Sequence, residues 1–540
     1  MWEQIKAFRL KGFLKKRVRR LIYFLGRHFD ISVMEIKSPK ISNMVKSKEV
    51  TSDDLFQLWK SILYLDKSYP VNTLKMKNIH IYPWIRKWLW LRYDLIFHSR
   101  RDDPSANLMD GVGEFFFPYN MKKILKDKYA IKEIEEFDQT VDFVFFASYG
   151  SSENVEIGDN KIYQRLTDPI FEIVKEYGTS IKLCPIQHYL HCSRFSGLNF
   201  VFPLTFLTYS HIIKDGYSSE VDFSNNFLQK LKENNPDLDI CIEDINIMLD
   251  RGYFLVENYI QLFLKIKPKA IFMHSYSFYM PVICAAHLLK IPTIEIQHGE
   301  IGSDNPVYGG FEYFIPDDGY ESIPDYFFVW HNKCFNYVKK TFNGKKHRPI
   351  LIGNPWIEKQ KDFFKKEVNQ KLKNLKKRYK KIAVCLLSHV LSQKLSQIVG
   401  AFDNDTLIIV RHHPNISKKY TVSDFKHPNI LIENFFDQCI LGELFNIADY
   451  AISEGSSASL EAASFGVVSF VCAREGLDNF KYEIDNKILH YVDNKSELEY
   501  YLRGNIKTNN INNFSLLDIK KNIVDFLENE IGIRCENAEN

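Results

Sequence analysis

Three short stretches concentrate the side chains able to hold an anion or move a proton. In "IEIQHGEIGSDNPVYGG" an apolar run ends at Ile296 and delivers Gln297, His298, Gly299 and Glu300. A histidine and a carboxylate at the end of a buried strand are candidates for a general base or for binding hydroxyls. Gly299 lets the backbone turn or approach a ligand closely. The plainer alternative is a turn whose histidine only satisfies the backbone. In "IIVRHHPN" a second apolar run ends in Arg411, His412, His413 and Pro414. The proline stops the strand and holds His413 extended. Arg411 and His413, two apart, share a side if the strand persists, and both can donate to a phosphate. In "ISEGSSASLEAASFG" a strand end carries Glu454 and Gly455, and a helix is predicted to start near Ser456 or Ser457. Such a helix start favours an anion. Ser457 and Glu461 are four apart and fall on one helix face. The plainer reading is a strand–helix turn capped by serines.

The elements that must position these turns are legible from periodicity. "VDFVFFAS", "SIKLCPI", "AIFMHS", "PTIEIQHG", "DYFFVW" and "PILIGNP" are apolar runs ending in polar turns, with helical segments between several of them. This alternation predicts a parallel sheet covered on both faces over residues 136–358. A stretch with eleven Lys/Arg against two acids follows at 359–381; Phe363, Phe364, Val368, Leu372 and Leu375 form one apolar stripe, predicting an exposed linker helix. The alternation restarts with "KIAVCLLS", "TLIIVRHHP", "NILIEN", "DYAISE" and "VVSFVC", giving a second sheet over 382–505. Residues 506–540 read as a closing helix and tail, and 1–135 as a mainly helical, basic and aromatic N-terminal region. The fold class is therefore α/β, with two Rossmann-like domains and a cleft between them. Ligands of such sheets sit beyond the carboxyl ends of the strands, where the three polar turns lie.

Bulk properties narrow the function classes. The chain has 540 residues, too many for one ordinary core. The net charge of +4 is too small for a polycation built for nucleic acid. The nine cysteines include no CxxC, and "CPIQHYLHC" fits no common zinc spacing, so no metal is expected. No apolar run reaches the ~20 residues that span a bilayer. Two aromatic-basic stretches, at 1–27 and 82–97, have the composition of helices lying on an anionic membrane surface. A cytoplasmic protein, peripheral on the inner face of a bacterial membrane, is expected.

The order of the motifs adds to each of them. "IPTIEIQHG", "PDYFFVWHN", "ILIGNPW", "RHHPN" and "ADYAISEGSSASLEAASFG" together resemble the GT-B glycosyltransferases of bacterial capsule and lipopolysaccharide biosynthesis, over roughly residues 140–500. That resemblance implies a metal-independent enzyme with no cofactor beyond its nucleotide-sugar co-substrate. It implies a glycan or lipid-linked acceptor bound by the first domain and the donor bound by the second. Carried over, His413 and the Ser456–Ser457 turn would hold the donor phosphates and Glu461 the ribose, with Arg411, Glu454 and Gly455 also on the donor side. His298 and Glu300 would act as catalytic groups, with Gln297, Gly299 and Ser151 on the acceptor side. Glu454 and Glu461 have six residues between them, against seven in many retaining members, which leaves the stereochemistry open. Non-hydrolysing UDP-sugar 2-epimerases and polyol-phosphate transferases of the teichoic-acid type share the pattern and are the alternative readings.

Overall fold

Phe143–Phe146 and Ala270–His274 bury every residue, as parallel strands covered by helices on both faces must. The structure, a computed structural model, describes residues 52–99, 139–146, 154–157, 161–184, 200–201, 225–234, 242–299, 301–303, 305, 307–313, 315–343, 345–387, 391–413, 420–504 and 518–533. The first sheet contains β1 (Phe143–Phe146), β2 (Ser180–Cys184), β3 (Phe200–Val201), β4 (Ala270–His274), β5 (Thr293–Ile296), β6 (Tyr326–Val329) and β7 (Arg348–Leu351). All are parallel, in the spatial order 3-2-1-4-5-6-7.

The second sheet contains β8 (Lys381–Leu387), β9 (Thr406–His412), β10 (Ile430–Leu431), β11 (Tyr450–Ser453), β12 (Val468–Val471) and β13 (Leu489–Tyr491). Its spatial order is 10-9-8-11-12-13, again all parallel. Each sheet is thus doubly wound, with its order reversing beside its first strand. The crevice at such a reversal is where ligands bind. It lies between β1 and β4 in one sheet and between β8 and β11 in the other. The expectation of two Rossmann-like α/β domains is met in both.

The N-terminal helices are part of the first domain's interior. Trp59, Ile62 and Leu65 of Ser52–Ser68, and Trp84, Ile85 and Trp88 of Tyr82–Ser99, join one core with Val144, Ile271 and Met273 of the sheet. The long helix Ile242–Ile266 crosses Trp84 at Gly252, where a Cβ would stand 2.1 Å from the indole. Of the stretch 82–97, for which a membrane role is expected, Tyr82 through Leu89 are buried in this core. The Arg86 guanidinium lies 4.8 Å from the ring of Trp59 and 4.2 Å from that of Phe311, and Lys87 lies over Phe278. Cations and aromatics that would suit a lipid interface have found each other inside the protein. Residues 1–27 lie outside the described residues.

The basic helix Lys366–Arg378 buries Leu372 against the second sheet, with Val368 and Leu375 beside it, whereas Phe363 and Phe364, expected on the same stripe, precede the helix and pack with Tyr163 and Trp356. The closing helix Ile519–Phe526 returns to the first sheet. Its Phe526 packs edge-on against Tyr326 and Phe328. Arg348 holds Glu530 through two hydrogen bonds of 2.6 and 2.7 Å.

Candidate functional site at the interdomain cleft

The turn after β11 is built by serines. Ser453 Oγ lies 2.9 Å from Ser459 Oγ and accepts a 3.0 Å bond from the Ser456 amide. The helix that follows runs Ala458–Ser464, with Ser457 as its N-cap residue. Ser457, Leu460, Glu461 and Ser464 recur at helical spacing and line the cleft between the domains. Gly455 lies outside the left-handed region. The tight spot is its neighbour Gly476, where a Cβ would come within 2.5 Å of the Glu454 carbonyl and 3.0 Å of Gly455 Cα. Glu454 is half-buried, its carbonyl accepting from the Ala473 amide, and it does not line the cleft.

The first domain meets this helix with His298, Trp330, His331 and Trp356, and with Arg165. Arg165 Nη1 donates to Glu461 Oε1 at 3.3 Å, tying the two domains across the cleft. Burial pushes the Glu461 carboxyl above its ordinary pKa, and Arg165 opposes the shift. The second Glu461 oxygen is buried and has no hydrogen-bond partner among the described residues. The acid expected to reach a ribose is therefore held by an arginine of the opposite domain. A second tie joins Lys333 to Glu483 and to the Asn479 carbonyl.

His298 follows β5 and faces the cleft. Its Nδ1 lies 3.5 Å from the Tyr308 hydroxyl. That hydroxyl donates to Glu295, a fully buried acid in the middle of β5. Glu295 Oε1 also accepts from the Tyr276 amide at 3.3 Å. Burial raises the Glu295 carboxyl to about 8, although both hydrogen bonds pull the other way. His331 closes the same wall; burial, assisted by Lys333, lowers its imidazole to about 3 and keeps it neutral.

Gln297, expected to meet an acceptor, is buried and structural. Its Oε1 accepts from the Trp330 amide at 2.8 Å, and its Nε2 donates to the Gly299 carbonyl and to Cys334 Sγ. It locks the end of β5 to the end of β6, which fixes His298. A Cβ at Gly299 would meet nothing within 4 Å, so close packing does not require a glycine there.

The third turn is self-contained. Arg411 donates to the His412 carbonyl at 2.7 Å and lies 3.5 Å from Asp437, to which His412 also bonds. Arg411 is thus engaged by its own domain, and its Nε is buried with no hydrogen-bond partner among the described residues. The His413 amide donates to the Leu387 carbonyl. β9 lies two strands from β11, about 10 Å at ordinary strand spacing. Glu300 and Ser151 lie outside the described residues. Among the described residues, no group of three His, Cys, Asp or Glu is placed to hold a metal, and no helix is long and apolar enough to cross a membrane.

Sequence reasoning missed Arg165, Glu295, Tyr308, Trp330, His331 and Trp356. Glu295 carries a signal, since an acid inside the apolar run "TIEI" must be buried with the strand. Tyr308 stands in the quoted "VYGG", and what fixes it comes from far away. Gly310 has a φ of +77° and a Cβ there would meet Leu63 and Asp66. Arg86 donates to the Gly309 carbonyl.

No family model and no curated relative matches the sequence. Several solved structures align with most of it. A UDP-GlcNAc 2-epimerase from Methanocaldococcus jannaschii aligns at 12% identity and a TM-score of 0.44, covering 72% of this chain and 99% of its own. The enzyme of that name from Rickettsia bellii aligns at 12% identity and a TM-score of 0.44, covering 73% and 97%. The glycosyltransferase SnogD from Streptomyces nogalater aligns at 10% identity and a TM-score of 0.33, covering 71% and 93%. At these TM-scores the likeness adds nothing to the fold already read from the two sheets.

Proposed function

We propose that the chain is a glycosyltransferase that moves a sugar from a nucleotide-sugar donor to a growing surface polysaccharide or lipid-linked glycan. One observation carries the reading: His298 of the first domain and the Ser457–Glu461 helix face of the second line the same cleft. An acceptor hydroxyl is a poor nucleophile at neutral pH and needs one base opposite the donor. An imidazole is the side chain suited to that task near neutrality. Trp330 and Trp356 supply aromatic walls that suit the apolar faces of sugar rings. The serine turn after β11 would take the donor phosphates, and Glu461, once released by Arg165, the ribose. His413 would add a phosphate contact from β9. Glu300 would assist His298.

The test is a panel of CMP-, UDP- and GDP-sugars. Thermal shift reads which nucleotide raises the melting temperature by mass action. Product analysis with and without glycan acceptors then separates transfer from epimerisation. Sugar moved to an acceptor supports the proposal; conversion of the nucleotide-sugar to its C2 epimer without an acceptor establishes the isomerase alternative.

A further inference from the structure

We infer that Glu295 and Tyr308 are positioning residues that fix His298 in the tautomer a base requires, with Nδ1 protonated and Nε2 left to take the proton. The inference deepens the transferase reading, because it assigns how the proposed base is prepared.

It follows from counting protons along one chain of contacts. Glu295 is fully buried, and no arginine or lysine pairs with it among the described hydrogen bonds and ion pairs. Its Oε1 accepts from the Tyr276 amide, so that oxygen is an acceptor. Its Oε2 is buried with no hydrogen-bond partner among the described residues, so both donors address Oε1. The Tyr308 hydroxyl has one proton, and the acceptor Oε1 takes it. The lone pairs left on that hydroxyl can only accept. His298 Nδ1, 3.5 Å away, therefore supplies the N–H. Distances of this kind often tighten when substrate fills the site. The hydrogen bond at one ring nitrogen decides which nitrogen is basic.

The surroundings keep this chain dry. Tyr276 and Tyr308 pack ring to ring at 5.7 Å, with the Tyr276 hydroxyl bonded to the Val307 carbonyl. His274 lies edge-on to His298 at 6.4 Å. Tyr337 reaches the Tyr308 carbonyl, and Cys334 and Arg86 are the other polar groups facing the pair of tyrosines. The Tyr308 hydroxyl is fully buried, and the phenol is held well above its ordinary pKa, so it stays a donor toward Glu295.

The experiment is nitrogen NMR on protein labelled at histidine, with the His298 signals assigned by their loss in His298→Gln. The wild type should show the Nδ1–H tautomer. Glu295→Leu removes the acceptor, turns the Tyr308 proton toward Nδ1 and should flip His298 to Nε2–H. Glu295→Gln keeps a carbonyl acceptor and should keep the wild-type tautomer. In the transfer assay, Glu295→Leu should lower kcat by about ten- to a hundredfold with KM unchanged, and Glu295→Gln should rescue most of it. An Nε2–H tautomer in the wild type, or Nδ1–H unchanged in a folded Glu295→Leu, overturns the inference. The tautomer is read without substrate. Nδ1–H with no transfer from any nucleotide-sugar sinks the functional reading alone, and transfer that needs His298 alongside an Nε2–H ring sinks this inference alone.

Discussion

Replacing Arg165 by alanine is expected to loosen the two domains rather than unfold either one. The Arg165–Glu461 pair spans the cleft at 3.3 Å, with only 23% and 13% of the two side chains exposed. At that separation and an effective dielectric of about 20, the attraction is about 5 kcal/mol, most of it offset by desolvation. Truncating one partner of a fully buried pair costs about 3–5 kcal/mol. Solvent reaches part of this one, so about 2 kcal/mol is a fair expectation, or roughly a 30-fold shift in the docking equilibrium. The loss has a defined pH dependence. Burial already raises the Glu461 pKa, and without Arg165 it rises further. Below that raised pKa Glu461 is neutral and strands no charge, so the defect is largest at high pH and shrinks on acidification. Probes at the exposed Tyr64 and Tyr500, one in each domain, would report the separation. Arg165→Ala should broaden the distance distribution at pH 8 and less so near pH 5, while Glu461→Gln should show a smaller effect without the pH dependence. An unchanged distribution in Arg165→Ala at pH 8 would refute the idea that this pair holds the cleft.

Other perturbations probe the remaining parts of the site. His298→Ala should lower turnover by about 10²–10⁴-fold with nucleotide affinity nearly intact, measured by steady-state kinetics beside calorimetry. Ser457→Ala and His413→Ala should each weaken nucleotide binding, by about 1 kcal/mol for the neutral hydroxyl and about 1.5–3 for a charge-assisted contact; unchanged affinity in both would move the donor elsewhere. Gln297→Leu should lower stability by about 2 kcal/mol, because it strands the Trp330 amide, and the urea midpoint reads the loss. Acidification should destabilise the first domain through His347, whose imidazole burial lowers from 6.5 to about 4. The folded form holds fewer protons than the unfolded one, so this stability is full above pH 6.5 and drains as pH falls toward 4. A His347→Gln variant should show a shallower fall in urea midpoint across that window.

What could be read from the sequence depended on how far each cause lies from its effect. β1, β4, β8 and β9 announce themselves because every residue in an all-parallel strand meets apolar neighbours, so the local run is the whole signal. The serine turn and the face shared by Ser457 and Glu461 were equally local, fixed by helical spacing alone. Arg411 illustrates the opposite. Its type and place at a strand end suit a phosphate, and nothing in its sequence neighbourhood announces Asp437, twenty-six residues on, 3.5 Å from the guanidinium. Glu461 likewise reads as a ligand contact until Arg165 arrives from 296 residues away. A charged side chain near a cleft declares that it needs a partner, and its sequence does not say which.

The helix Tyr82–Ser99 makes that point in energetic terms. Arginine and lysine among tryptophans is the composition of a membrane interface, because both settings must shelter an aromatic ring and satisfy a cation. Inside this protein the cation has Asp66 at 3.6 Å, two ring faces and one hydrogen bond, to the Gly309 carbonyl, while its Nε and Nη1 are buried with no hydrogen-bond partner among the described residues. Asp66 is held at about 6, raised by burial against the pull of Arg86, so the desolvation outweighs the attraction of its partner. A buried pair of this kind is a poor source of stability, and a hydrophobic replacement would often serve as well. What such a replacement could not supply is the donor to Gly309, next to the residue whose hydroxyl faces His298. The costly burial is understandable if it sets the backbone that carries Tyr308, which makes the N-terminal helices part of the machinery of the cleft.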